Sequence, residues 1–160
     1  ERGRMDYPNE LLSQLDFVIG SIHSGFKQDE ATITNRIVNA MENLYVTMIA
    51  HPTGRLLGQR EPYAVNLERV FETAERTHTA LELNAYPKRL DLNDLAARRA
   101  KDHGVWLALS TDTHSLDQLD NMMIGLGVAR RAWLEPKHLL NGLNREQLLA
   151  WIRQKRSPAG

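Results

Sequence analysis

Apolar positions along the chain alternate between two spacings. Short dense runs occupy residues 16–22 (DFVIGSI), 45–50 (YVTMIA), 79–84 (TALELN) and 105–109 (VWLAL). Each has the length and β-branched or aromatic content of a buried strand. Between them the period lengthens to that of a helix. After Asp29, the residues Ile33, Ile37, Ala40, Met41 and Leu44 fall on one face. Asn66 stands where a helix would be capped, ahead of an apolar face made by Leu67, Val70, Phe71 and Ala74. Residues 91–104 (DLNDLAARRAKDHG) read as a helix with Leu92, Leu95, Ala96 and Ala100 inward and Gly104 as its stop. Helical patterns also cover about 115–132, and run from Asn144 to about Arg156. Residues 51–63 (HPTGRLLGQREPY) form a loop punctuated by Pro52, Gly54, Gly58 and Pro62, and 133–142 (WLEPKHLLNG) an irregular link.

Strands that alternate with helices imply a parallel sheet joined by right-handed crossovers. No GxGxxG or Walker-type loop follows any strand, so a nucleotide-binding doubly wound sheet has no support. A β/α barrel, or part of one, fits better. Four strand–helix units are too few to close an eight-stranded barrel. The chain also opens without Met, on ERGRMDYPNELL. The expectation is an α/β domain over residues 1–160 that forms an incomplete part of a barrel, its N-terminal strands lying upstream.

Composition narrows the function classes. At 160 residues the chain has room for one domain with a real core. Lys and Arg number 20, as do Asp and Glu, so no global field draws the chain to nucleic acid or membrane, and such a partner needs a local patch. The absence of cysteine excludes disulfides, thiolate metal sites and a cysteine nucleophile. No apolar run approaches the ~20 residues of a membrane span, and no signal peptide opens the chain. The expected location is the cytoplasm.

The chemistry gathers where strands end. Strand one runs into His23, strand two into His51, strand three into Asn84, and strand four into Asp112 and His114. From 23 to 51, 51 to 84 and 84 to 112 the steps are 28, 33 and 28 residues. A βαβ unit takes ~30 residues or more, so these are equivalent points on successive units. In a β/α barrel those points converge on one rim. Imidazole and carboxylate donors without thiolate suit Zn²⁺, Mn²⁺ or Fe. In an extended segment Asp112 and His114, two apart, would point the same way.

Each of these residues also has a structural use. A strand-end histidine can pack, and Asp112, Ser110 or Ser115 can cap the helix that follows. His78 and His103 fall in last turns, where a cation suits the dipole, and His138 falls in a polar link. Lys27, Arg55, Arg60, Lys88 and Arg89 follow strand ends as well. Arg55, four residues after His51, is the first candidate to hold a phosphate.

The stretches DYPNELL, DFVIGSIHSGF, AHPTGRLLGQREPY, ALELNAYPKRLDL and STDTHSLDQLDNM, with GVARRAWLEPKHLLN after them, resemble the C-terminal PHP (polymerase and histidinol phosphatase) domain of bacterial family X DNA polymerases. The resemblance covers nearly the whole chain. It implies a distorted, TIM-like β/α barrel with up to three Mn²⁺ or Zn²⁺ ions, and a phosphoesterase acting on DNA 3′ ends, chiefly as a 3′–5′ exonuclease in DNA repair. By the family pattern His23 and His51 share one metal with a glutamate, Asp112 serves another and His114 a third. Asp112 and His114 would thus be catalytic as well as ligating, with Arg55 on the phosphate. The family's HxH motif, a further histidine and the bridging glutamate belong upstream of residue 1 in that pattern; Glu1 is outside its motif and is given no role. The partners implied are DNA and the polymerase domains of a longer chain. Two other expectations are a small-molecule phosphatase of the histidinol-phosphatase kind, and a non-catalytic structural or DNA-positioning domain.

Overall fold

The computed structural model describes residues 3–157; Glu1 lies outside them. The element order is α1 (Asn9–Leu12), β1 (Ile19–Gly20), α2 (Glu30–Met41), β2 (Met48–Ile49), α3 (Leu67–Arg76), β3 (Ala80–Asn84), α4 (Asp94–Asp102), β4 (Leu107–Ser110), α5 (Met122–Arg131) and α6 (Arg145–Arg156). A 3₁₀ turn at Leu116–Asn121 precedes α5, and two more, at Pro136–His138 and Leu140–Gly142, precede α6. The four strands pair in parallel in the order β1-β2-β3-β4. Fold class is therefore α/β with a parallel sheet, and the sheet winds one way along the chain.

Helix starts follow local chemistry. Asp29, Asn66, Asn93 and Asn144 each sit in extended backbone, and each accepts a backbone N–H three residues on through its side chain. Four of the orphan donors that every helix start leaves are met in this way. Asn144 and Gln147 form a reciprocal capping box.

The period of two along each strand sorts side chains onto two faces. Ile49, Leu81, Leu83, Leu107 and Leu109 join the main core with Ile33, Ile37 and Met41 of α2, Phe71 of α3 and Ala97 of α4. Met48 and Ala80, on the other face, pack with Trp151 and Ile152 of α6, against Trp106 and Ala108. Further along that second face the side chains become polar: Glu82 and Ser110 are bonded to each other. One face is therefore apolar throughout, and the other turns polar toward the C-terminal ends of the strands.

The two edges differ. Beside β4, Leu107 bridges to Leu139, and the Asn141 side chain covers Leu109, accepting its N–H at 2.8 Å and donating to its C=O at 2.9 Å. The amide imitates a strand partner and blunts the edge. β1 forms the other edge, with Ile19 52% exposed.

Several details depart from the sequence pattern. β1 and β2 hold two residues each, shorter than the apolar runs that contain them. Leu44 lies beyond the end of α2 at Met41, and Leu95, the second residue of α4, points to solvent; both are exposed. Ala97 takes the inward position that periodicity gave to Leu95.

Candidate active site

Because all four strands run in parallel, their C-terminal ends lie at one end of the sheet. His51 and Asp112 each follow a strand by two residues, and His23 follows β1 by three. His51 (φ 32°) and Asp112 (φ 51°) both turn out of their strands in the left-handed region, which non-glycine residues rarely adopt and which recurs at functional sites. The expected extended path through Asp112 is corrected here: its left-handed φ bends the segment, and the His114 ring Nδ1 lies 2.7 Å from the carbonyl oxygen of Asp112. His114 is exposed, and its backbone N–H is held by the Gln118 side chain at 2.8 Å.

His23 and His51 come together. Their ring centroids are 5.4 Å apart and the planes stand at 86°. His23 is exposed and His51 buried. Burial, and then the charge of Arg89, hold the His51 imidazole down to about 4, against a smaller upward pull from Asp112. His51 is therefore neutral near pH 7, and its Nδ1 is buried without a partner. An unprotonated, unpartnered ring nitrogen is what a cation needs from histidine.

Asp112 is engaged by Arg89, whose Nε donates to Oδ2 at 3.1 Å. Among the described residues no three histidine or carboxylate groups converge as a ready ligand set. The His23–His51 pair thus fits a metal in donor chemistry, and the fit extends over two donors.

A carboxylate that the sequence pattern did not single out organises these loops. Glu82, 4% exposed in the middle of β3, accepts the His51 backbone N–H at 2.5 Å and the Asn84 side-chain amide at 3.1 Å, both on Oε2, and the Ser110 hydroxyl on Oε1. One side chain therefore ties the ends of β2, β3 and β4 together. Burial raises its pKa, and these donors pull it back. The available signal was a charged residue at a second-face position of an otherwise apolar strand.

The loop 51–55 is clamped from residues 89–91. Asp91, fully buried, accepts the Thr53 N–H at 3.0 Å, and burial raises its carboxyl to about 6. Arg55 donates Nε to the Arg89 carbonyl at 2.6 Å and Nη2 to the Leu90 carbonyl. Gly54 has φ 62°, and a Cβ there would run into the Tyr63 ring, so only glycine fits. Arg60 donates twice to the Gly54 carbonyl and lies 4.0 Å over the Phe26 ring.

Similarity to known proteins gives the class. The chain is 42% identical over 152 residues, 95% of its length, to the DNA polymerase/3'-5' exonuclease PolX of Bacillus subtilis. It is 31% identical over 123 residues to a probable phosphatase of Caldanaerobacter subterraneus subsp. tengcongensis, and 29% identical over 150 residues to a probable phosphatase of Thermoanaerobacter sp.. It spans 27% of the PolX protein and 46% and 59% of the two phosphatases. No family model matches the chain. The class is one that joins an exonuclease-bearing polymerase to phosphatases. Within it, the chain is a homologue of the PHP-containing region of bacterial family X DNA polymerases. Among the described residues no helix is long and apolar enough to cross a membrane.

Proposed function

We propose that the chain is the metal-dependent phosphoesterase portion of a family X-type DNA polymerase, hydrolysing phosphodiesters at DNA 3′ ends as a 3′–5′ exonuclease in the cytoplasm. The observation that carries the reading is the paired imidazoles of His23 and His51, with an unpartnered ring nitrogen, at the strand end where Asp112 also lies. The 42% identity to PolX over nearly the whole chain supports the substrate class. The one-way parallel order of the sheet supports a β/α barrel of which these four strands are a part.

His23 and His51 would hold one ion, Mn²⁺ or Zn²⁺, with Asp112 and His114 serving others. Such ions supply Lewis acidity at the phosphate and lower the pKa of water toward ~7. The chain's own groups do the rest. Glu82 fixes the His51 backbone. Burial keeps the His51 imidazole neutral. The Asp91 and Arg55 contacts hold the 51–55 loop against residues 89–91.

The phosphatase relatives favour one alternative, a small-molecule phosphomonoesterase. Turnover of a 3′-recessed DNA duplex and of histidinol phosphate by the full-length protein, with Mn²⁺, separates the two. Release of nucleotides from the duplex at a kcat/KM at least about 100-fold higher supports the exonuclease. The opposite preference replaces it, and turnover of neither leaves a structural domain.

A further inference from the structure

The geometry points to Arg89 as the residue that seats the substrate's phosphoryl oxygens, a role that rests on the phosphoesterase reading above. Four arginines stand near the strand ends, and their donors are spent differently. Arg36 gives Nη1 to the Ser24 carbonyl and to Gln28. Arg55 gives Nε and Nη2 to two backbone carbonyls. Arg60 gives Nε and Nη2 to the Gly54 carbonyl. Arg89 gives Nε to Asp112, and its Nη1 is buried with no partner. Of the four, Arg89 is the one with a buried donor left open.

A buried guanidinium N–H without an acceptor is unfavourable, and native structures rarely keep one without a use. The Arg89 side chain is 15% exposed, so an acceptor must reach it from within the site. Its neighbours are site residues: Asp112 by direct contact, and His51, whose imidazolium its charge disfavours. A tetrahedral oxyanion is the matching ligand, because a planar fork of donors complements phosphate oxygens.

The backbone of Arg89 is also held. Its N–H donates to the Tyr86 carbonyl at 2.7 Å, and its carbonyl is gripped by Arg55. Arg55, the sequence candidate for phosphate, thereby acts one step back as a positioning residue, and Arg89 presents the fork. The ion pair with Asp112 fixes the remaining rotamer freedom of Arg89.

The test uses the full-length protein with inorganic phosphate as the probe, read by calorimetric titration, and steady-state kinetics on a phosphodiester. Arg89→Ala is expected to weaken phosphate binding by about tenfold or more and to raise KM more than it lowers kcat. Arg89→Lys keeps the charge without the fork and is expected to fall between. Phosphate affinity within twofold of wild type in either folded variant overturns the proposal, as does a wild-type protein that binds no phosphate at millimolar concentration. If Arg89→Ala does not fold, the affinity of Arg89→Lys decides. Arg89-dependent phosphate binding in a protein that hydrolyses no phosphoester would sustain the anion site and sink only the catalytic reading.

Discussion

The buried Glu82 carboxylate accepts the backbone N–H of His51 at 2.5 Å. A residue in the middle of one strand thus sets the backbone of a proposed ligand at the end of its neighbour. Glu82→Ala leaves the His51 N–H, the Ser110 hydroxyl and the Asn84 amide without their shared acceptor. The expected cost is about 2 kcal/mol, seen as a lower denaturation midpoint with unchanged slope. Glu82→Gln keeps an oxygen for His51 and Asn84 and an amide for the Ser110 oxygen, so it should retain most of that stability. Equal losses in both variants would mean that the charge, rather than the acceptor geometry, holds the strand ends.

Asn141 offers a test of the sheet edge. Its amide satisfies both backbone groups of Leu109, and no aliphatic side chain can do so. Asn141→Leu should destabilise by about 1–3 kcal/mol, measurable by chemical denaturation. It should also raise the tendency to self-associate through the uncovered β4 edge, seen by light scattering. A stable, monodisperse variant would show that the 136–143 segment covers the edge without this amide.

Lys155 gives the fold a pH dependence on the alkaline side. It is 4% exposed, its Nζ donates to the Met41 carbonyl at 2.7 Å, and burial lowers its pKa from 10.5 to about 8. Glu42 opposes that fall and the Arg76 charge adds to it. The folded chain therefore releases this proton at lower pH than the unfolded chain. Between about pH 8 and 10.5 the unfolded state binds more protons, so stability from this group rises with pH, by up to about 3 kcal/mol. Below pH 8 the cost of the buried charge is present in full. The unfolding free energy of wild type minus that of Lys155→Met should grow over that window. Parallel pH profiles for the two proteins would contradict it.

Much of the scaffold was legible because it is local. Asp29, Asn66 and Asn144 cap helices where the apolar period begins; β1, β2 and β3 lie inside their apolar runs, and β4 passes the end of its run by one residue, Ser110. Periodicity failed at Leu44, which continues a helical pattern past the end of α2, and at Leu95, which lies inside α4 yet is exposed. Equal spacing along the chain marked His23, His51 and Asp112, since parallel strands put equivalent positions at one end. The partners of those residues were not legible. Glu82 reaches across 31 residues to His51, and Arg89 across 23 to Asp112. Such contacts depend on sheet order and on the left-handed turns at His51 and Asp112, which spacing does not encode. Arg55 shows the same limit. Its distance from His51 suggested a phosphate, but the fold gives its donors to the carbonyls of residues 89 and 90.

The central claim is that these strand ends form a metal-dependent phosphodiesterase. Its most direct measurement is Mn²⁺-dependent nucleotide release from a 3′-recessed duplex by the full-length protein, comparing wild type with Asp112→Asn. Asp112→Asn is expected to lose at least about 100-fold in kcat/KM, equal to about 2.7 kcal/mol of transition-state stabilisation, with the melting temperature little changed. Unaltered Mn²⁺-dependent release by the folded variant would contradict it.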